Sequence, residues 1–318
     1  MTPSPLPPNA QWTSDTERGN QFALRLMAWI AVRCGRTVAR WVLHPITLYF
    51  LLFAPRAQAH SRRYLRRAMG RAPSWRDGYR HVFAFASTVL DRVYLARGEL
   101  AGFDLHLSGE ALIDATVASG RGAVLLGAHM GSFEALHAMG ASRPGHRVAM
   151  AMYPHNARMI QGVLRAVAPQ AQLDIITVGR PQSTMLIRDW LDQGGLVGML
   201  GDRSVVNVSA QPTHRASDSL QVNFLGRPAR FSTGPLRVAM LLRRPVIFMV
   251  ALYAGGHHYD VRFELLADFS APPPSAVERD ECIRAALLAY VARLEALCRE
   301  SPYNWFNFYD FWEEQVAH

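Results

Sequence analysis

Residues 125–140, with the sequence LLGAHMGSFEALHAMG, lead the chain out of an apolar run and into a segment with helical spacing. The apolar run predicts a buried strand with His129 at its carboxyl end. Gly131 permits a sharp turn, and Ser132 is suited to be the N-cap of a helix that carries Glu134. Because open α/β sheets bind ligands at the carboxyl ends of their strands, we expect a functional site at this turn.

The same alternation of short apolar runs and helix-length segments continues from about residue 104. It predicts an α/β fold with a mostly parallel central sheet flanked by helices. The predicted strands are residues 103–107, 122–128, 147–152, 173–177, 195–200, 245–253 and 259–265. The predicted helices are residues 132–139, 156–166, 181–193, 234–242 and 276–299.

Composition divides the 318 residues, of which 50% are hydrophobic, into three parts. Residues 1–20 are polar and proline-rich, and they predict a disordered leader without a signal peptide. Residues 21–100 predict a basic helical region, and residues 101–318 predict the α/β domain with a C-terminal helix and an aromatic tail. The three cysteines are widely separated and lack metal-ligand spacing, so we expect neither a disulfide framework nor a zinc site, and a reducing cytosol.

The charge is concentrated near the N-terminus, where fifteen arginines between Arg18 and Arg97 face only Asp77 and Asp91, and the chain contains no lysine. Such a field attracts anionic lipid, nucleic acid or an acidic protein. The longest apolar run there, residues 41–54, is shorter than the roughly 20 residues of a membrane span. Interrupting arginines and tryptophans predict a helical hairpin in the membrane interface. An ordinary buried helical hairpin is the alternative.

A second basic segment, SRRYLRRAMGR, carries Arg62, Arg63, Arg66 and Arg67 at a spacing that predicts an exposed helical side. We expect this side to dock an acidic carrier protein or anionic lipid. Nucleic acid is a competing partner, although no helix-turn-helix or base-stacking motif accompanies the arginines. A merely solvated face is the remaining interpretation.

His129 and Glu134 are the candidate catalytic pair. A glutamate in the first helical turn can reach back to the imidazole, fix its tautomer and make the other ring nitrogen a general base. The backbone N–H groups of Gly131, Ser132 and Phe133 would favour developing negative charge at the helix N-terminus. This combination suits direct acyl transfer to a hydroxyl or amine. Ser132 lacks the G-x-S-x-G context of a nucleophile, and a structural histidine remains an alternative.

HMGSFE resembles the H-x-x-x-x-D/E motif of the lysophospholipid acyltransferase superfamily, in its branch of lipid A late acyltransferases. Three further blocks resemble that branch in the same order between about residues 102 and 266: MAMYPHNARMIQGVL, GGLVGMLGDRSV and VNFLGRPARFSTGPLRVAMLLRRPVI. The N-terminal helices and the closing SPYNWFNFYDFW are more similar to homologues from aryl polyene and related polyketide-lipid pathways. Four ordered blocks are more specific than one histidine-glutamate pair.

The resemblance implies a glycerol-phosphate-acyltransferase-like fold and transfer of a fatty or polyene acyl chain. The donor would be acyl carrier protein or coenzyme A, and the acceptor a hydroxyl or amine of a membrane-associated lipid or glycolipid. It implies His129 as base, Glu134 as its partner, no metal or other cofactor, and a peripheral or monotopic place on the cytoplasmic face of the bacterial inner membrane. Asp202, Arg203 and Ser204 stand where lipid A enzymes commonly have a second carboxylate, which argues against a lipid A acceptor.

Further residues are candidates for substrate binding: Gly131, Ser132, Tyr153, Asn156, Arg158, Asp202, Arg203, Gly226 and Thr233. Arg203 is suited to a phosphate, or to an ion pair with Asp202. Gly226 also fits a turn, and Thr233 opens a helix that could bind an anion. The aromatic tail, residues 303–312, would form an acyl-chain wall, an interfacial belt or ordinary core. A lipid hydrolase using the same cleft and a nucleic-acid-binding protein remain the alternative functions.

Overall fold

A computed structural model describes residues 17–133, 135, 145–154, 157–158, 161–162, 174–203 and 219–312, with side chains described from residue 30 onward. The helices are α1 Glu17–Phe53, α2 Pro55–Met69, α3 Trp75–Ala96, α4 Glu110–Ala118, α5 Pro181–Asp192, α6 Gly234–Leu242 and α7 Ala276–Glu300. The strands are β1 Asp104–Ser108, β2 Ala123–Gly127, β3 Val148–Met152, β4 Asp174–Thr177, β5 Leu196–Leu200, β6 Ser219–Phe224, β7 Arg227–Ser232, β8 Pro245–Gly255 and β9 His258–Asp268.

Within the described ranges, seven strands form one sheet in the order β1-β9-β8-β2-β5-β3-β4. Only β8 and β9 pair antiparallel in this sheet, and helices flank it. The predicted α/β class with a mostly parallel sheet is therefore confirmed, and each of the seven predicted strands overlaps an observed one. Helix α4 and the separate β6–β7 hairpin were not predicted.

The N-terminal region consists of two helical segments joined at Gly35 and followed by a bend, and the predicted membrane-associated hairpin stays a prediction. Helix α1 is kinked at Gly35, where φ is 80°, and the chain bends by 96° between α1 and α2. In the part of the chain that is described, no single helix has the length and apolarity to cross a membrane, although the bent α1–α2 pair has them together. One face of α1 packs on α3, with Ala39 and Leu43 against Leu90.

The outer face of α1 continues as exposed apolar surface toward the bend. We call this surface the apolar tip and define it as Trp41, Leu48, Tyr49, Leu52, Phe53 and Trp75. Helix α1 is therefore neither a fully buried hairpin, which was one interpretation of its sequence, nor an isolated arm. It is amphipathic, with one apolar face on the protein and another directed to solvent.

Helix α2 and part of the aromatic tail belong to the main hydrophobic core. Tyr64 and Leu65 of α2 are completely buried in that core, beside Trp305 and Phe311 of the tail. The Tyr64 and Trp305 rings meet edge to face with their centroids 4.9 Å apart. Of the interpretations open for the tail, ordinary core is the one that the structure shows. Residues 1–16, which include most of the predicted leader, lie outside the described residues.

Candidate active site

The two central residues of the site follow neighbouring parallel strands. Strand β2 pairs with β5 so that Gly127 lies opposite Leu200. His129 comes two residues after Gly127, and Asp202 comes two residues after Leu200. Because the strands run in the same direction and in this register, both side chains emerge at the same edge of the sheet.

Asp202 is held beside His129 by three donors. The imidazole Nδ1 lies 2.8 Å from Oδ1, while the backbone N–H of His129 and the indole N–H of Trp305 each donate to Oδ2 at 3.0 Å. The Asp202 residue is only 1% exposed. Burial disfavours the charged carboxylate, but the charge and hydrogen bond of His129, with smaller effects of Arg203 and Trp305, outweigh burial and lower the pKa of Asp202. Asp202 is therefore an ionised hydrogen-bond acceptor.

This arrangement fixes the tautomer of His129. A carboxylate can only accept, so Nδ1 of the imidazole carries the proton that points to Asp202. The other nitrogen, Nε2, makes no hydrogen bond to any described residue, and the side chain is 30% exposed. An imidazole whose Nδ1 donates to a buried carboxylate and whose ring is partly exposed can take a proton at Nε2 from a bound molecule.

The turn after His129 is pinned against strand β8 and the tail. Gly131 has φ of 65°, and a Cβ atom there would lie 1.8 Å from the Ala251 carbonyl oxygen, so only glycine fits. Its N–H donates to the Asn304 carbonyl, while the N–H of Ser132 donates to the Ala251 carbonyl, each at 2.9 Å. These two donors are thus already used, which corrects the expectation that they stabilise negative charge on a substrate.

Ser132 and Asp202 also have hydrogen-bond partners within the protein. Ser132 is buried, and its hydroxyl accepts a hydrogen bond from the N–H of Ala135 at 3.2 Å, as predicted for an N-cap. Both carboxylate oxygens of Asp202 accept hydrogen bonds, and the donors belong to His129 and Trp305. The structure thus places Asp202 in support of the imidazole, while its role in substrate binding stays a prediction.

Other predicted site residues lie on the same edge of the sheet. Tyr153 is half-buried and follows β3, whose carboxyl end meets that edge because β3 pairs in parallel with β5. The guanidinium of Arg203 lies over the Tyr309 ring, 4.9 Å from its centroid, and Arg158 is exposed. Glu134 and Asn156 lie outside the described residues, so their roles stay predictions.

The last two candidates occupy structural positions in a hairpin and a helix start. Gly226, with φ of 79°, forms the turn between β6 and β7 together with Leu225, as its turn-like sequence predicted. Thr233 precedes α6 and is buried, and its hydroxyl accepts a hydrogen bond from the guanidinium of Arg237 at 3.2 Å.

Trp305 and Asn304 belong to the surroundings of the site, although no pattern in the sequence had pointed to them. The Asn304 amide accepts from the Tyr253 N–H at 2.7 Å and donates to the Tyr253 carbonyl at 3.1 Å, which attaches the tail to β8. Backbone atoms of the tail then bind the His129 turn, since the Phe306 N–H donates to the His129 carbonyl at 3.0 Å. The density of aromatic residues indicated that the tail is ordered, but it did not indicate which groups the tail meets.

No protein family model matches this chain, and no curated protein matches its sequence.

Proposed function

We propose that this chain is an acyltransferase that moves a fatty or polyene acyl group from a thioester to a hydroxyl or amine of a membrane-associated lipid or glycolipid. The observation that carries the proposal is the 2.8 Å hydrogen bond between His129 Nδ1 and buried Asp202. That bond leaves Nε2 as an oriented base, on a ring that is partly exposed, at the edge of the sheet where open α/β sheets bind ligands. The four sequence blocks support the choice of acyl transfer.

In the proposed reaction, Nε2 of His129 removes the proton from the acceptor as the acceptor oxygen or nitrogen attacks the thioester carbonyl. The resulting tetrahedral intermediate collapses, the carbon–sulfur bond breaks, and the donor thiolate leaves. The imidazolium then returns its proton to the thiolate. Asp202 remains ionised throughout and stabilises the imidazolium, so no covalent enzyme intermediate is required.

The experiment compares two carboxylates as partners of the base. We expect His129→Ala to lower turnover by about 10² to 10⁴, the usual size of general-base catalysis. Asp202→Asn should approach that loss because the amide favours the wrong tautomer, while Glu134→Gln is the matched control. A larger loss in Glu134→Gln than in Asp202→Asn would restore Glu134 as the imidazole's partner. More than a tenth of wild-type turnover in His129→Ala would contradict the assignment of the base.

Product analysis separates transfer from hydrolysis. Acyl carrier protein and coenzyme A thioesters are supplied with and without a membrane-extracted lipid acceptor. An acyltransferase forms acylated lipid and releases the thiol only when the acceptor is present. Release of free fatty acid at the same rate without acceptor would identify a thioester hydrolase.

The donor we propose is acyl carrier protein, because the basic helix α2 lies beside the tail that supports the site. Arg62 and Arg66 of α2 are exposed. Arg63 instead donates to Asp310 of the tail at 2.7 Å, and the guanidinium of Arg67 lies over the Trp312 ring, 4.7 Å from its centroid. Of the four arginines predicted to form one docking side, Arg62, Arg63 and Arg66 are exposed, and Arg63 and Arg67 also contact the tail.

We also propose that the chain binds the surface of an anionic membrane through its apolar tip. The exposed side chains of α1 connect to Trp75, at the start of α3, through ring contacts of His44 and Tyr79. Exposed Arg56 and Arg76 lie next in the chain to these two parts of the tip. Apolar side chains bordered by long cations match the interfacial mode of membrane binding.

A further inference from the structure

Trp305 contacts the carboxylate that orients the candidate base, although it lies 103 residues away from Asp202 in the chain. The residue is 1% exposed, and its Nε1 donates to Asp202 Oδ2 at 3.0 Å. Oδ2 also accepts from the backbone N–H of His129, whereas Oδ1 accepts from the imidazole. Rotation about the last side-chain bond of an aspartate is only weakly restricted by its own torsional preference. Two donors on Oδ2 restrict that rotation and direct Oδ1 to the imidazole.

The position of Trp305 is itself fixed from two sides. Its backbone forms an antiparallel bridge with Met130, in the turn that follows His129. Its carbonyl lies 2.9 Å from Nε2 of His81, on α3. Because a carbonyl can only accept, Nε2 of His81 carries the proton, and Nδ1 accepts from the Ser61 hydroxyl at 2.7 Å. Helices α2 and α3 therefore hold the backbone of the residue whose indole holds Asp202.

We propose that Trp305 is a positioning residue, whose indole N–H sets the orientation of Asp202 and through it that of the base His129. This inference rests on the proposed acyl transfer for its kinetic consequence, but the hydrogen-bonded chain can be tested without turnover. The tail then has a role in the reaction beyond filling the core. It completes a site whose two principal residues come from the sheet.

The matched pair of variants is Trp305→Phe and Trp312→Phe in the full-length protein. Both remove an indole N–H from the same aromatic cluster, but Trp312 donates to the Phe224 carbonyl at 3.3 Å and not to Asp202. We expect Trp305→Phe to lower kcat roughly tenfold with the KM of donor and acceptor unchanged, because misorientation affects the reacting geometry and not binding. Trp312→Phe should leave both constants near their wild-type values.

A spectroscopic measurement tests the same inference without an assay. The proton on the His129 Nδ1 should give a downfield NMR resonance, assigned by its loss in His129→Gln. We expect Trp305→Phe to move this resonance and Trp312→Phe to leave it in place. Equal effects of the two variants on the resonance, or no effect of either, would overturn the inference.

If Trp305→Phe does not fold, benzothienylalanine at position 305 replaces it, because that side chain keeps the shape of the indole and lacks its N–H. The kinetic constants and the NMR resonance of that variant are then compared with those of Trp312→Phe in the same way. If the wild-type protein forms no acylated product, the proposed function fails, whereas the NMR comparison still decides whether Trp305 orients the Asp202–His129 pair. If acyl transfer is present and the two tryptophan variants behave alike in both measurements, only the inference fails.

Discussion

Residues 41–53, WVLHPITLYFLLF, and the tail, residues 303–312, YNWFNFYDFW, are similarly rich in large apolar side chains, yet their environments are opposite. Phe53 is 68% exposed, whereas Phe311 is 3% exposed. The difference follows from how the two backbones satisfy their polar groups. The backbone N–H and C=O groups of helix α1 bond to one another, so the helix can leave one face exposed. The backbone groups of the tail instead bond to other parts of the protein.

The tail obtains those partners from several elements. The Asn304 side chain binds the backbone of Tyr253, and the Tyr303 hydroxyl donates to Asp77 at 2.7 Å. Large side chains that accompany such bonds become core. An exposed group of large apolar side chains such as the apolar tip instead indicates an interaction surface. Aromatic density therefore predicts that a segment has a partner, but not whether the partner is the protein itself.

The largest difference between the two regions is expected when one phenylalanine in each is truncated. We expect Phe311→Ala to lower the free energy of unfolding by about 3–5 kcal/mol, because it leaves a cavity beside Trp305 and Phe224. Phe53→Ala should change it by no more than about 0.5 kcal/mol. Urea unfolding followed by near-ultraviolet circular dichroism measures both. A loss in Phe53→Ala comparable to that in Phe311→Ala would show that the apolar tip belongs to the core.

How far the sequence could predict these outcomes depends on the distance between the interacting residues. The strands were predictable because each is a local apolar run with a turn after it. Hairpin β6–β7 was missed because Pro228 lies in the second strand, and proline within a run argues against a strand. Asp202 was expected just after a strand, at the carboxyl edge of the sheet, and it lies there, but its contact with His129 was not predicted. Strand order places it next to His129, 73 residues away, and no local pattern encodes that order.

The indole of Trp305 was still harder to predict. Its contact with Asp202 requires that the tail cross the end of β2, which the hydrogen bonds from Gly131 to Asn304 and from Phe306 to His129 determine. Backbone atoms make these bonds, so the identity of the side chains carries little information about them. The sequence predicted one half of the site, and the pairing of distant segments supplies the other half.

The attachment of the tail should also depend on pH. His81, which supports the tail, is fully buried, and burial lowers its pKa from 6.5 to about 4 although its hydrogen bond to Trp305 acts in the other direction. Between these pH values the unfolded chain binds a proton that the folded chain does not. The free energy of unfolding should therefore be maintained above pH 6.5 and fall by up to about 3 kcal/mol as the pH drops to about 4.

Urea unfolding at pH 7 and pH 5 measures this loss, and two histidine variants locate it. In His81→Gln the part of the acid loss that comes from this side chain should disappear, at the cost of a lower stability at pH 7. His44 is the control residue from helix α1; it is exposed and contacts Tyr79. His44→Gln should retain the wild-type acid loss. If His81→Gln also retains it in full, other groups account for the pH dependence.

The smallest effect on folding is expected at the apolar tip, where the effect on membrane binding should be the largest. Leu52→Ser/Phe53→Ser removes two exposed apolar side chains and should leave the free energy of unfolding within about 0.5 kcal/mol for each substitution. Burial of those side chains among lipids contributes independently of charge, so partition to anionic vesicles should fall on the order of tenfold or more.

Met185→Ser/Leu186→Ser on α5 is the matched control, since both of its side chains are similarly exposed but lie outside the tip. Vesicle co-sedimentation at low and high salt measures the partition, and the wild-type protein should stay partly bound at high salt because the apolar contribution is not screened. Equal losses in the two double variants would mean that apolar exposure in general determines binding. Release of the wild-type protein by salt alone would mean that the arginines carry the binding and that the apolar tip serves a different partner.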